Sequence, residues 1–299
     1  MREIRTMADV RKRTLSIAWW NTGLNPICGE SKVDLKTLFP VILLLCASSD
    51  IVMLCEHIAD VEICRKINTA LRAKQIDKDF RIRDLSHKSG RAGFRMSMLF
   101  DVQTVDQIRL SKSRCAFLDL TGHINEEHYR VGQLIRFNTD FLGETPLDVY
   151  AMHWSQYSEK DSAHVKLTAA GTMASHIAKS RDNYVVCAGD FNTEPYSPPM
   201  ANLGASRSLR YVINGDAPFY NPFWKFMPYC GTINSKADRC MKCESPTFDQ
   251  MLIGRRFLTE GIAHRVDVWG DEIYHPNDGG HRPVVLTFQR QGGINEREA

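Results

Sequence analysis

Short apolar segments that end beside a residue able to bind metal or phosphate recur along this chain, and they constrain its fold more than any other feature. The first segment, residues 14–20, alternates like a strand and is followed by Asn21. Similar segments lead into Glu56, His153 and Asp190. Since adjacent strand ends bring distant residues together, we expect one site at a common edge of a sheet.

The same patterns predict the rest of the secondary structure. Helical spacing occurs over residues 33–46, 60–73 and 163–180. The predicted strands are residues 14–20, 50–56, 94–100, 115–120, 133–138, 147–153, 184–189, 248–254 and 283–288. Strand–helix alternation mixed with strand–strand passages is typical of an α/β or α+β fold with a mixed sheet. Residues 196–246, rich in Pro, Gly, Asn and aromatics, are predicted to form long loops.

Length and composition favour one globular domain. The chain has 299 residues, of which 43% are hydrophobic and 24% charged. We predict a basic extension over residues 1–13, one domain over 14–289 and a polar tail over 290–299. No apolar segment typical of a signal peptide follows the basic N-terminal residues, and the longest apolar run, 38–46, is too short for a bilayer. We therefore expect a cytoplasmic protein without membrane association, with its nine cysteines reduced.

The polar residues at the strand ends form a chemically coherent set. Mg²⁺ prefers oxygen ligands, and the candidates are Glu56, Asp190 and the amide oxygen of Asn21. Phosphoryl transfer also needs donors for the phosphate oxygens and a positioned water. The candidates for these tasks are His153, His281 and Asn192. A neighbouring carboxylate such as Asp249 could fix the tautomer and orientation of one imidazole.

Six sequence blocks contain the candidate residues. The most specific is Gly189-Asp190-Phe191-Asn192, followed by Thr-Glu-Pro. The other blocks are Trp20-Asn21 with Gly23, Leu54-Cys55-Glu56, Met152-His153-Trp154, Thr247-Phe248-Asp249-Gln250 and Gly280-His281-Arg282-Pro283-Val284. Together, and in this order, they resemble the motifs of the endonuclease/exonuclease/phosphatase superfamily, the group that includes deoxyribonuclease I. Each residue alone has an ordinary structural explanation, and one short motif is weak evidence. Six blocks in order, each at a predicted strand end, make the resemblance much stronger.

The resemblance implies a four-layer sandwich, in which two mixed β-sheets pack face to face with helices outside. It also implies hydrolysis of phosphate esters with Mg²⁺ or Mn²⁺. Glu56 would be the principal metal ligand, Asn21 would help to bind the metal, and Asp190 would position or deprotonate the attacking water at the metal. One departure concerns the closing motif, where the family has Asp immediately before the His and this chain has Gly280. Asp278, two residues earlier, could replace that ligand.

The resemblance assigns the remaining residues to the phosphate. Asn192 would hold it, and His281, oriented by Asp249, would stabilise its developing charge. His153 would contact the same phosphate or assist the leaving group. In the deoxyribonuclease I branch this histidine has a glutamate partner, and no such residue can be aligned in this chain.

Cys240 and Cys243, with Cys230 ten residues earlier, resemble half of a structural Zn²⁺ site. A fourth ligand would have to come from Cys28 or a distant histidine. Reduced thiols in a loop are therefore the preferred interpretation.

Two further features bear on the substrate. Basic residues cluster over residues 74–83 and 88–95, and we predict that Arg91 and Arg95 contact substrate phosphates. The aromatic segment 219–224 either packs against the domain's own edge, which we prefer, or stacks on bases. The formal net charge of +3 says little about partners.

The sequence thus predicts a Mg²⁺-dependent phosphodiesterase, specifically a nuclease that cleaves DNA or, as the less favoured substrate, RNA. One alternative is a phosphatase of small molecules or lipids on the same fold. Another is a catalytically weak nucleic-acid-binding protein, because Gly280 replaces the usual Asp. Oligomeric state is not predicted.

Overall fold

A computed structural model describes most of the chain. The described residues are 13–24, 35–56, 60–86, 95–110, 117–124, 127–154, 162–180, 182–226, 231–233, 246–270 and 280–290. They form two mixed β-sheets packed face to face, with helices on the outer faces.

Sheet 1 has six strands in the order β13-β14-β1-β2-β4-β3. Their bounds are β1 (Thr14–Asn21), β2 (Ile51–Cys55), β3 (Phe80–Asp84), β4 (Met96–Asp101), β13 (Ala263–Val268) and β14 (Val284–Gln289). β1 and β2 are parallel, and the other neighbours are antiparallel. The last strand therefore lies in the middle of the sheet, next to the first.

Sheet 2 has eight strands in the order β10-β11-β12-β9-β8-β7-β5, with β6 also paired to β7. Their bounds are β5 (Asp106–Ile108), β6 (Phe117–Ile124), β7 (Glu127–Thr139), β8 (Gly143–His153), β9 (Tyr184–Asp190), β10 (Ala205–Ser206), β11 (Phe219–Tyr220) and β12 (Asp249–Gly254). β8 and β9 are parallel, whereas β12 runs antiparallel to β9. This mixture of directions decides which residues meet at each edge.

Helices complete the outer layers. They are α1 (Leu35–Ser48), α2 (Val61–Ala73), α3 (Ser162–Ile177), α4 (Pro198–Leu203), α5 (Leu209–Asn214) and α6 (Arg255–Thr259), with 3₁₀ turns at Ala178–Ser180 and Pro222–Phe226. α1 and α2 pack on sheet 1, and α3 packs on sheet 2. No helix in the described part of the chain is long and apolar enough to cross a membrane.

The central strands are apolar on both faces because both faces are buried. In β1, Trp19 points into the core between the sheets, whereas Trp20 faces the helices of sheet 1. In β2, Met53 and Leu54 divide in the same way. This explains why these strands appear in the sequence as continuous apolar runs rather than as an alternation of apolar and polar residues.

The structure corrects the expectation of long loops over residues 196–246. The described parts contain two helices, two short strands and a 3₁₀ turn, namely α4, α5, β10, β11 and Pro222–Phe226. Phe219 and Phe223 are fully buried, so these two aromatics pack against their own domain, as preferred above. α4 begins with Pro198 and Pro199 at its first positions, whereas α5 begins after Ser208, whose side chain accepts from the Tyr211 amide.

Gly189 is required by the close approach of β8 to β9. A Cβ atom at this position would lie 2.3 Å from the Met152 carbonyl oxygen. We expect Gly189→Ala to lower the free energy of unfolding by ~3 kcal/mol, because backbone atoms cannot move aside cheaply. Urea denaturation would measure the change. Gly270→Ala is the control, since a Cβ there meets nothing within 4 Å, and an equal loss in both variants would contradict the explanation.

Candidate active site

Each sheet contains a parallel strand pair whose C-terminal ends bring polar residues to the same edge of the sandwich, the edge formed by strand ends. Asn21 lies opposite Cys55 at the ends of β1 and β2, and Glu56 follows directly. In sheet 2, His153 lies opposite Asp190 at the ends of β8 and β9. All of these residues are buried.

The antiparallel strands reach the same edge with their first residues. Asp249 starts β12 and pairs with Asp190. β14 runs antiparallel to β1, with Val284 opposite Trp19, so His281 arrives at this edge just before β14 begins. Strand direction thus explains two groups of positions. The four candidates of the parallel pairs lie at the C-terminal ends of their strands, whereas Asp249 starts a strand and His281 precedes one.

Glu56 and Asp190 share the amide group of Asn21 across the two sheets. Asn21 Nδ2 lies 3.1 Å from Asp190 Oδ2 and 3.5 Å from Glu56 Oε1. The Asn21 Oδ1 accepts from the Gly23 backbone amide at 3.1 Å. In this arrangement Asn21 orients the two carboxylates through its nitrogen, and its role as an oxygen ligand to a metal stays a prediction.

Asp249 holds His281 in place. Asp249 Oδ2 lies 2.7 Å from His281 Nδ1, and Trp19 Nε1 donates to Asp249 Oδ1 at 2.8 Å. Trp20 Nε1 donates to the His281 carbonyl oxygen at 2.9 Å, which fixes the backbone as well. His281 Nδ1 also lies 3.7 Å from Asp190 Oδ2, so the imidazole is close to two carboxylates.

These carboxylates change the protonation of His281. Burial lowers the pKa of its imidazole, but the charges of Asp249 and Asp190 and the hydrogen bond to Asp249 outweigh burial and raise the pKa to about 9. Burial raises the pKa of Asp249, while His281 and Trp19 act against that rise. Because Trp19 donates to the Asp249 carboxylate, we place the shared proton on His281. The site therefore holds an imidazolium at neutral pH.

Asn192 is held in a strained conformation beside Asp190. Its backbone has a φ of 47°, and its amide donates to Asp190 Oδ1 at 2.9 Å. Its side-chain nitrogen donates to the Trp154 carbonyl at 2.9 Å, and the buried Lys166 donates to the Asn192 carbonyl at 2.6 Å. Glu56 also has a positive φ, of 54°. Strain of this kind in non-glycine residues is concentrated at functional sites.

His153 is buried beside the two carboxylates. Its Nε2 lies 3.9 Å from Glu56 Oε1 and 3.8 Å from Asp190 Oδ2. Its Nδ1 lies 3.1 Å from the sulfur of Cys55. Burial lowers the pKa of His153, although Asp190 and Glu56 act to raise it. His153 and His281 thus differ in the direction in which their surroundings move the pKa.

Glu56 and Asp190 are the carboxylates that could hold a divalent cation, because the other buried carboxylate of the site is already paired. Asp249, although within 4.8 Å of the nearest ligand atoms of Asp190 and His281, has both oxygens engaged by Trp19 and His281. Its charge is therefore already matched. Glu56 and Asp190 remain as two buried carboxylates that converge on Asn21, and oxygen ligands of this type suit Mg²⁺ or Mn²⁺.

Several predicted residues lie outside the described ranges. These are Asp278, Arg91, Cys28, Cys230, Cys240 and Cys243, so the substitute metal ligand and the zinc site stay untested. Arg95 is described and exposed. It directly precedes Met96, which pairs with Cys55, and this register places Arg95 beside the end of β2 where Glu56 follows.

Sequence reasoning did not assign Trp19, Lys166 or Thr232 to the site. Trp19 could have been recognised, because strand alternation turns it toward the second sheet. Thr232 Oγ1 accepts from the Asp249 amide at 2.9 Å, but nothing local in the sequence indicates that contact. A separate cavity of about 370 Å³ lies at the opposite end of β9, near Val185 and Gly254, away from this site.

Comparison with solved structures supports the fold. An endonuclease/exonuclease/phosphatase family protein from Bacteroides thetaiotaomicron matches with a TM-score of 0.59 and 12% identity, over 93% of this chain and 98% of that one. A mannosyl-6-phosphatase from the same species matches with a TM-score of 0.60 and 12% identity, over 92% and 100%. ANGEL2, a 2′,3′-cyclic phosphatase solved with adenosine-2′,3′-vanadate, matches with a TM-score of 0.61 and 13% identity, over 92% and 95%.

The chain therefore has the α/β sandwich fold of the endonuclease/exonuclease/phosphatase structures, and the predicted four-layer architecture is confirmed. No family model matches the sequence, and no curated protein gives a significant match. At 12–13% identity the likeness concerns the fold, and the chemistry must be argued from the site's own residues.

Proposed function

We propose that this protein is a divalent-cation-dependent phosphodiesterase and that its substrate is a nucleic acid, with DNA preferred. One observation carries the proposal: the buried Asp190 carboxylate is shared by Asn21, His153 and His281 at the point where both sheets end. A carboxylate beside an imidazolium, with a second carboxylate nearby, supplies a base and an electrostatic partner for phosphate in one place.

The residues divide the reaction between them. The oxygen of a water molecule attacks phosphorus, its proton passes to Asp190, and the bond from phosphorus to the leaving oxygen breaks. The His281 imidazolium stabilises the negative charge that develops on the phosphate oxygens, and Asp249 keeps it charged and oriented. Asn192 helps to bind the phosphate, and His153 donates from Nε2 to the phosphate or leaving oxygen.

Glu56 and Asp190 would hold a divalent cation, which would supply further positive charge for the phosphate. Buried carboxylates alone would repel a phosphodiester, whereas a loaded site would attract it. We assign the exposed Arg95, next to the end of β2, to a phosphate further along the backbone of the substrate, and its exposure and strand position support this role.

The proposal is tested by incubating the protein with supercoiled plasmid and Mg²⁺ or Mn²⁺, with EDTA in a parallel reaction. We expect nicked and then linear plasmid with either cation and none with EDTA. Single-stranded RNA is assayed beside it, because the two substrates share the same phosphodiester chemistry. If folded protein with either cation cleaves neither polymer, the nucleic-acid proposal is wrong.

A phosphatase of small molecules is the second candidate. The names of two structures with this fold favour it, a mannosyl-6-phosphatase and a 2′,3′-cyclic phosphatase. Release of inorganic phosphate from a sugar 6-phosphate, or ring opening of a nucleoside 2′,3′-cyclic phosphate, is measured under the same conditions. Turnover of these compounds without cleavage of either polymer would select this candidate.

The weak-binder alternative, motivated by Gly280, is tested by cation binding. We expect calorimetry to show binding of Mn²⁺ to the wild type and a loss of at least ~10-fold in affinity for Glu56→Gln, because one carboxylate charge is removed. Glu260→Gln is the control, since Glu260 contacts Tyr184 at the opposite end of β9. Absence of any cation binding by the wild type, with or without DNA, would favour the weak binder.

A further inference from the structure

The two sheets make a sulfur–imidazole contact at the candidate active site. Cys55 is the last residue of β2 and is fully buried, with its side chain in the core between the sheets. His153 ends β8 in the opposite sheet, and its Nδ1 lies 3.1 Å from the Cys55 sulfur. The contact therefore joins a residue next to Glu56 with a residue paired to Asp190.

The surroundings of the other ring nitrogen indicate where the hydrogen of a neutral His153 resides. Its Nε2 faces oxygens of Glu56 and Asp190 at 3.9 and 3.8 Å. A lone pair on Nε2 would be repelled by both carboxylates, whereas an N–H bond would be attracted. The lone pair is then on Nδ1, and it needs a hydrogen-bond donor.

The Cys55 thiol can supply that donor. A thiol carries one hydrogen and is a weak donor, and the sulfur lies within hydrogen-bond reach of Nδ1. A carboxylate in the same place could only accept, and would favour a hydrogen on Nδ1 instead. The chemical nature of the partner therefore selects the tautomer.

We propose that Cys55 is a positioning residue that fixes His153 as the Nε2–H tautomer, so that the ring donates a hydrogen bond from Nε2 to the substrate. This inference rests on the proposed function, because the substrate oxygen is the acceptor that it serves. Cys55 itself does not touch the substrate. It acts through the orientation and the hydrogen of His153.

The first test reads the tautomer directly and requires no activity. The protein with ¹⁵N-labelled histidine is examined by long-range ¹H–¹⁵N NMR, and the signal of His153, one of ten histidines, is identified by its loss in His153→Gln. We expect hydrogen on Nε2 in the wild type and in Cys55→Ser, which keeps a donor. In Cys55→Ala the buried Nδ1 lone pair loses its donor, and this cost opposes the preference set by the carboxylates at Nε2, so we expect a mixture of tautomers.

A matched control separates this effect from the loss of a buried thiol. Cys187 is also fully buried, but it faces the helices of sheet 2 instead of the site. Cys187→Ala should leave the His153 signals unchanged, and its thermal unfolding midpoint shows how much a buried Cys→Ala change costs. A wild type with hydrogen on Nδ1, or a Cys55→Ala protein with unchanged signals, would overturn the proposal.

Kinetics provide the second readout on whichever substrate is cleaved. We expect Cys55→Ala to lower kcat by ~10- to 100-fold with little change in KM, and Cys55→Ser to recover most of the rate. If no substrate is cleaved, the proposed function fails while the NMR result still decides the tautomer. If cleavage occurs with unchanged kcat in Cys55→Ala, the positioning role fails and the proposed function stands.

Discussion

Replacing Asp190 with Asn is expected to lower the rate of phosphodiester cleavage by ~10³-fold, because the proposed base and one of the two proposed cation-binding charges are lost together. The backbone should tolerate the change. An Asn side-chain oxygen can still accept from the Asn192 amide, which donates to Asp190 Oδ1 at 2.9 Å. The measurement is the initial rate of plasmid nicking at saturating Mg²⁺.

Asp101→Asn is the matched control for this variant. Asp101 is equally buried and ends β4, but it lies at the opposite edge of sheet 1, where it accepts from the backbone amides of Asp79 and Gln103. We expect its nicking rate to stay close to that of the wild type. If Asp190→Asn, folded as judged by circular dichroism, retained the wild-type rate, Asp190 could not be the base.

Asp249→Asn should produce the second large effect, a loss of ~10²-fold at neutral pH, because His281 loses its charged partner. In the wild type, Asp249 and Asp190 raise the pKa of His281 to about 9, against the effect of burial. The imidazolium is therefore present below about pH 9 and disappears as the pH rises through that value. Without the Asp249 charge, burial is less opposed and the pKa falls.

The pH dependence of kcat/KM checks this expectation. The wild type should lose activity on an alkaline limb no higher than about pH 9, and Asp249→Asn should show the limb displaced toward neutral pH. Trp19→Phe should displace the limb less than Asp249→Asn does, since it removes the hydrogen bond to Asp249 Oδ1 but leaves the carboxylate. An alkaline limb that stays in place in Asp249→Asn would mean that a group other than His281 produces it.

The central strands and the site could be predicted from the sequence for the same physical reason. Both faces are buried in the strands β1, β2, β8 and β9, so each strand appears in the sequence as an apolar run. A polar residue at the end of such a run is therefore easy to recognise. The order of motif blocks then indicated that the ends belong together. The structure brings Asn21, Glu56, His153, Asp190, Asn192, Asp249 and His281 to one edge, although their individual roles stay predictions.

The elements that sequence reasoning missed are those that lack such runs. β3 and β13 are the two edge strands of sheet 1, and both carry charged residues that interrupt any apolar pattern. The short helices after residue 196 depend on a few local residues, the prolines that open α4 and the Ser208 cap of α5, which composition conceals. The Cys55–His153 contact depends on how two sheets are packed, and residues 98 apart give no local signal of it.

The position of β14 has a consequence for the timing of synthesis. This strand fills the space between β13 and β1, so sheet 1 cannot close until the chain has been made through Gln289. His281 arrives with it, and Asp249 precedes it by only 32 residues. A ribosome-bound chain would therefore carry Glu56 and Asp190 long before it carried the imidazolium. The candidate site would therefore be assembled only after β14 had been made and had paired with β1 and β13.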